Sequence, residues 1–139
     1  MARTVAFIFI SFLFVFPACS QDSGSAGKPN QAVTSNSKYP ASGIIDAATF
    51  KARLEEMPDA ILVDIRTPQE FNARHMEGAK NIDFYERSFN DAISKLPRDK
   101  PIFIYCHSGN RSGQAGQRMA SMGFQHVYDL KGGISRWPF

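Results

Sequence analysis

From residue 42 onward, short apolar runs alternate with amphipathic stretches, and this alternation sets the first expectation. Residues 44–45, 60–65, 80–82, 102–105 and 127–130 read as strands separated by helical patterns, the spacing of βαβ units. Residues 47–57 form a helical stretch with Asp46 placed as its N-cap. Thr67-Pro68-Gln69-Glu70 joins a capping box to a proline at the first helical position, so a short helix starts there. Ser88 stands where it would cap a helix running to Leu96 and stopped by Pro97. Residues 112–122 make the longest helix, closed by Gly123. Stretches 60–65 and 102–105 are apolar apart from Asp64 and Tyr105, as suits central strands covered on both sides. The expectation is a single α/β domain with a mostly parallel central sheet and helices on both faces. Ligands of such sheets bind beyond the carboxyl ends of the strands, which directs attention to the loop after residue 105.

That loop reads Cys106-His107-Ser108-Gly109-Asn110-Arg111, with the helix beginning at about Ser112. A strand, a tight loop and a helix start point successive backbone N–H groups inward, and with the helix dipole they form a cradle for an anion. Gly109 gives the turn its conformational freedom. A cysteine in such a cradle is held as thiolate more readily than a free thiol, which titrates near about 8.5. Cys106 is therefore the candidate nucleophile; the plain alternative is a small apolar residue buried at a strand end.

Composition narrows the field. A chain of 139 residues with 43% hydrophobic content has room for one domain of ordinary size. The net charge of +3 is spread along the chain without a Lys/Arg run or aromatic-basic alternation, which argues against a nucleic-acid partner. At the N-terminus, Arg3 precedes an apolar run over residues 5–16, interrupted only by Ser11 and ended by Pro17. The run falls short of the roughly 20 residues that a membrane span needs, so residues 1–20 read as an export signal. Two processing routes stay open. Ala18 and Ser20 occupy the small positions of a cleavage site that would leave Gln21 as the mature start, whereas Phe16-Pro17-Ala18-Cys19 resembles a bacterial lipobox that would place a lipid on Cys19. The lipid-anchored form is preferred, although Phe16 departs from the Leu usual at that position. Pairing of Cys19 with Cys106 is set aside, because a cysteine in a processed signal seldom survives as a partner.

Residues 21–41 are rich in Ser, Gly, Asn, Gln, Pro and Lys and read as a flexible linker, leaving 42–139 for the domain. The expected location is exported: periplasmic and anchored through Cys19, otherwise soluble in the periplasm or secreted. Membrane contact is expected only through that lipid. The mature domain keeps a single cysteine in a compartment where disulfides normally form, and an unpaired cysteine there calls for a functional reason.

Three separated motifs now converge. Besides the Cys106 loop there is Ile61-Leu62-Val63-Asp64-Ile65-Arg66-Thr67-Pro68-Gln69-Glu70-Phe71, followed by His75-Met76-Glu77-Gly78-Ala79, and then Leu130-Lys131-Gly132-Gly133-Ile134-Ser135-Arg136-Trp137. Together, and in this order, they resemble the rhodanese family over essentially everything after the linker. The resemblance implies a single rhodanese-like domain whose Cys106 carries a persulfide held by the amides of His107, Ser108, Gly109, Asn110, Arg111 and Ser112. It implies a thiosulfate sulfurtransferase working by two displacements with ping-pong kinetics and no cofactor. The donor would be a small sulfur-bearing anion, and the acceptor a thiol, a protein thiol or cyanide. Arg111 would draw in the donor and stabilise the leaving sulfite, with His107 and Ser108 on its oxygens. Four residues separate Cys106 from Arg111. Related phosphatase-type domains carry a longer loop, so sulfur is favoured over phosphate or arsenate. Glu77 stands where the family usually has Pro, which leaves the conformation of that turn open.

The remaining residues carry blander readings. Asp64 and Arg66 would support the loop or the donor, or else form a structural network with Glu70 or the loop backbone. His75 belongs to a turn and stays outside the mechanism. No metal site is expected, because neither His107 nor His126 has ligand spacing with another His or Cys. Phe71, Phe84, Phe124 and Trp137 are read as core or core-edge aromatics. Only Pro138 and Phe139 follow Trp137, so the site is expected to be completed by this domain alone, by a partner chain, or by nothing at all. Two further functions are weighed against thiosulfate turnover: a persulfide carrier whose acceptor is a partner protein, and a non-catalytic binding or sensing module, against which the intact Cys106 argues.

Overall fold

The computed structural model describes residues 38–139; the expected export signal, Cys19 and most of the expected linker lie outside the described residues. Five strands, β1 (Gly43–Ile45), β2 (Ile61–Asp64), β3 (Lys80–Asn81), β4 (Ile102–Tyr105) and β5 (Val127–Leu130), alternate with four helices, α1 (Ala47–Glu56), α2 (Pro68–Ala73), α3 (Phe89–Ser94) and α4 (Asn110–Ser121). A short 3-10 turn, Ile134–Arg136, follows β5. The sheet runs in the order β1-β5-β4-β2-β3 with every pairing parallel.

Alternation along the central strands feeds two cores. Ile102, Ile104 and Cys106 point with Val63, Ile65 and Val127 to one face, where Phe89 and Ile93 of α3 and Ala115 and Met119 of α4 cover them. Phe103 and Tyr105 point with Leu62, Tyr128 and Leu130 to the other, against Phe50 of α1 and Ile134. A strand buried on both faces has no solvent side to mark with polar residues, which is why β4 reads as a continuous apolar run. Phe50 packs edge-to-face on Phe103 at 5.0 Å and on Trp137 at 5.8 Å, which places Trp137 at the edge of the second core.

Local signals act largely as expected. Asp46 Oδ1 accepts from Thr49 N at 2.9 Å, and Thr67 and Glu70 close a reciprocal capping box. Ser88 makes no side-chain cap: its backbone (φ −81°, ψ 3°) lies near the helical region instead of the extended one that aims a capping hydroxyl at the first turn. Helix α4 starts at Asn110, two residues before the expected Ser112, because Gly109 adopts φ +95° and turns the chain directly into the helix. The Tyr39 hydroxyl donates to Asp59 at 2.5 Å, and the Tyr128 hydroxyl donates to the Pro40 carbonyl at 2.7 Å, so residues 39–40 of the expected linker pack on the domain.

The strand order places the site. The chain leaves β2 for β3 on one side and leaves β4 for β5 on the other, although β2 and β4 are neighbours. Loops leaving two adjacent strands in opposite directions open a crevice at their carboxyl ends. The segment after β2 carries Arg66 to Glu70, and the segment after β4 carries Cys106 to Arg111.

Candidate active site

Cys106 directly follows β4 and is buried, with 1% of its surface exposed. Its Sγ accepts from the Gly109 N–H at 3.1 Å and lies 3.5 Å from the Ser112 hydroxyl. Burial pushes the thiol up, but the Ser112 hydroxyl and the amides of Ser112, Gly109 and Ser108 outweigh it, and the Cys106 thiol settles below its ordinary value. The loop is thus a cradle of donors around one sulfur.

A second turn holds the cradle from below. Ile134 N donates to the Cys106 carbonyl at 2.9 Å and Ser135 N to the His107 carbonyl at 3.1 Å. Gly133 (φ +62°) passes so close that a Cβ there would lie 2.5 Å from the Cys106 oxygen and from the His107 carbonyl carbon and oxygen. Gly109 approaches Gly132 less closely, its hypothetical Cβ 3.3 Å from Gly132 N. The two glycine turns are fitted to each other, with no room for side chains between them.

The crevice is bridged by an ion pair. Both terminal nitrogens of Arg111 donate to the Glu70 carboxylate at 2.7 Å, while Glu70 also closes the α2 capping box. Arg111 holds Glu70 well below the usual carboxylate range, at about 2, and the guanidinium is raised in turn. Arg111 also lies over the ring of Tyr85 at 5.5 Å, and Tyr85 is 68% exposed. The outer side of the loop opens onto a shallow depression lined by Glu70, Phe84, Tyr85, His107, Ser108 and Arg111.

The other expected residues separate by role. His107 and Ser108 are exposed on the outer side of the loop, and Asn110 opens α4, its side chain accepting from Gln114 at 2.9 Å. Asp64 and Arg66 form a buried pair, with Arg66 Nη2 2.6 Å from Asp64 Oδ2 and donating also to the Arg74 carbonyl at 2.5 Å. Their hydrogen bonds fasten the β2 end to the α2 C-terminus and do not reach the Cys106 loop. His75 is exposed and stacked on Phe71 at 3.9 Å. The turn at Glu77 closes through Ala79 N to the Met76 carbonyl at 3.1 Å, with Gly78 at φ +78°. Phe84 packs on the first core and also lines the depression, so it serves both as core aromatic and as wall. Sequence reasoning missed Glu70 as the partner of Arg111, Tyr85 as a wall, and the buried Asp129 beneath α4.

Comparison with known proteins now bears on this geometry. The model of the Rhodanese-like domain matches residues 46–138. The chain belongs to the rhodanese-like domain family. Among its relatives, the uncharacterized protein YqhL of Bacillus subtilis is 37% identical over 78 residues, 56% of this chain and 60% of that protein. The chain therefore spans less than two thirds of YqhL. The thiosulfate sulfurtransferase GlpE of Ectopseudomonas mendocina is 38% identical over 78 residues, 56% of this chain and 70% of the relative. Among solved structures, the rhodanese-like domain from an Anabaena protein superposes with a TM-score of 0.60 at 31% identity, covering 71% of this chain and 74% of that one. Sulfurtransferase is the name carried by relatives of this chain such as GlpE.

Proposed function

We propose that the chain is a sulfurtransferase that moves a sulfane sulfur from thiosulfate or a related donor to a thiol or cyanide through a persulfide on Cys106. The observation that carries this reading is the buried Cys106 sulfur ringed by the Gly109 amide and the Ser112 hydroxyl, with its thiol shifted down despite burial. In the first displacement the thiolate attacks the outer sulfur of thiosulfate. A sulfur–sulfur bond forms at Cys106, the donor's sulfur–sulfur bond breaks, and sulfite leaves with the electron pair. The amides of Ser108, Gly109 and Ser112 then face the terminal sulfur, whose negative charge they stabilise. In the second displacement an acceptor thiolate or cyanide attacks that sulfur and returns Cys106 as thiolate. Arg111 and His107 border the mouth through which the donor enters.

The test is thiocyanate formation from thiosulfate and cyanide, wild type against Cys106→Ser, with intact-mass analysis for one added sulfur. Activity and adduct are both expected in the wild type and absent from the variant; neither appearing in the wild type would overturn the reading. A second reading, a carrier that passes the sulfur to a protein thiol, is favoured by one observation. Arg111 is held on both nitrogens by Glu70 and so offers a free anion less charge than the motif suggests. An adduct without turnover would select it. We also propose that the protein is exported and anchored through Cys19; a mature N-terminus carrying a diacylated cysteine supports this, and a chain starting at Gln21 overturns the anchor.

A further inference from the structure

A groove of about 300 Å³ runs between β1 and α4, separate from the mouth over Arg111. Helix α4 gives Asn110, Arg111 and Gln114 to the mouth, and Gly113, Gly116 and Ala120 to the groove. Those three small residues leave space above the edge strand, so Ile44 of β1 stays 65% exposed although it stands in register with a buried position of β5. Ile44, Val127 and Phe124 make the rest of the wall apolar. From Gly113 to Ala120 the helix rises about 10 Å, which sets the length of the groove. At its far end the Ser42 hydroxyl is already used: it donates to the Gln125 carbonyl and accepts from Val127 N. At the near end stands Asp129, the one acidic group in the lining. It is 4% exposed, and its Oδ1 is buried without a hydrogen-bond partner. Among the described residues no ion pair involves it. A buried carboxyl with an unmatched oxygen at the end of an apolar groove calls for an explanation.

We propose that the groove between β1 and α4 is a binding site for a small aliphatic ammonium compound, its chain against Ile44, Val127 and Phe124 and its charged nitrogen on the Asp129 carboxylate. Charge complementarity selects this occupant. A neutral apolar ligand would cover the carboxylate and leave it unpaired, and an anion would be repelled by it. A divalent cation needs several oxygen ligands, and the lining offers one carboxylate. An ammonium supplies the donors that Asp129 lacks, and its chain covers the apolar wall that α4 leaves open. The volume suits a small molecule, since ligand pockets begin at about 300 Å³ and are mostly apolar with few polar groups. The buried Oδ1 is within reach of such a head group, because the last torsion of an aspartate is soft and its rotation exchanges the two oxygens. Val127 precedes Asp129 by two strand positions on the same face, so about 6.6 Å of apolar wall leads up to the carboxylate. The inference does not depend on the chemistry of Cys106.

The test is a titration of the full chain with n-hexylammonium chloride, followed by amide NMR. Burial pushes the Asp129 carboxyl up to about 6, so the titration is run above neutral pH, where the carboxyl is ionised. Saturable shifts are expected at the amides of Ile44, Gly113 and Gly116. The neutral probe n-hexanol should bind about tenfold more weakly or worse, and Asp129→Asn should weaken the amine by a similar factor, the effect of one charge-assisted hydrogen bond. Equal affinity for the two probes overturns the proposal, and so does equal affinity of the wild type and Asp129→Asn for the amine. Gly113→Ala gives a second variant that keeps the carboxylate. Its added methyl would lie 3.8 Å from Asp129 Oδ2, an ordinary contact, and alanine is the better helix former, so the fold is kept while the near end of the groove is filled. Binding of the amine should fall about tenfold there too; unchanged binding would place the ammonium elsewhere and overturn the proposal. Shifts at the same amides that grow with protein concentration and need no amine would give the groove to a second copy of the chain, which also overturns it. No sulfur donor is present, so a chain inert toward thiosulfate would leave these measurements standing.

Discussion

Replacing Gly133 by alanine should unfasten the active-site loop. The added Cβ would come within 2.5 Å of the Cys106 oxygen and the His107 carbonyl, both backbone atoms that no rotamer change can move aside. Two terms contribute. Holding an alanine at φ +62°, ψ −166°, a region essentially restricted to glycine, costs about 1–3 kcal/mol. Relieving the clash requires the turn to withdraw, which breaks Ile134 N to the Cys106 carbonyl and Ser135 N to the His107 carbonyl at about 1 kcal/mol each. The expected loss is about 3–5 kcal/mol, a large share of the stability of an ordinary domain. Urea unfolding of the wild type and variant measures it, with Gly78→Ala as the control. Gly78 also has a positive φ, +78°, but an added Cβ there meets nothing within 4 Å, so its loss should stay near 1–2 kcal/mol, the conformational part alone. Should the turn peel away without unfolding the domain, the Cys106 loop loses its support, and alkylation of Cys106 at neutral pH should slow. A loss under about 1 kcal/mol with unchanged Cys106 reactivity would refute the clamp.

Two further outcomes follow from the charged groups. Glu70 is held near 2 when folded against an ordinary value of 4.5, so its contribution is full above about 4.5 and fades as pH falls through 2. Glu70→Gln should cost about 1–2 kcal/mol at neutral pH, discounted for a carboxylate about a third exposed, and nothing near the acid end; a pH-independent difference would mean that the pair with Arg111 contributes no charge energy. Asp129 carries the opposite sign. Its carboxyl is raised from 3.8 to about 6, so the wild type loses stability as pH rises through that window, while Asp129→Asn does not. The advantage of the variant should grow by about 1–3 kcal/mol between about pH 4 and pH 7, read from denaturation midpoints, and a flat difference would show that the carboxyl is not strained by burial.

The parts legible in the sequence are those set by local pattern. Strands β2 and β4 are marked by runs that are apolar apart from Asp64 and Tyr105, α2 by its capping box, and the Cys106 loop by a cysteine, a glycine and an arginine at close spacing. The parts that were not legible depend on which loops the topology brings together. Glu70 already has a full explanation as the third residue of α2, and nothing local says that the same carboxylate reaches an arginine 41 residues away. Asp129 reads as the polar position of a strand with a wet face. It is buried because Gly113 and Gly116 let α4 settle onto it, and two glycines inside a helical pattern were the signal available.

The Cys106 sulfur sits at the end of β4, yet none of the groups that restrain its loop from outside belongs to that strand. Arg111 is anchored by the segment after β2, and the loop carbonyls are anchored by the turn after β5. Strands β2 and β5 are the two neighbours of β4, so each flank of the central strand contributes one restraint. This explains why the three motifs occur widely separated in the chain but end at the same edge of the sheet. It also predicts how they fail. A change at Glu70 should act on the mouth and leave the sulfur's amides in place, because those amides lie inside the loop. A change at Gly133 should act on the carbonyls of Cys106 and His107, and through them on the direction in which the amides of Ser108 and Gly109 point. Combining Glu70→Gln with Gly133→Ala should therefore give nearly additive losses in stability, since the two restraints share no partner atom, while Cys106 reactivity should follow Gly133 alone. Strong coupling between the two in stability would mean that the loop moves as one rigid piece, and the separation of roles between its two flanks would have to be abandoned.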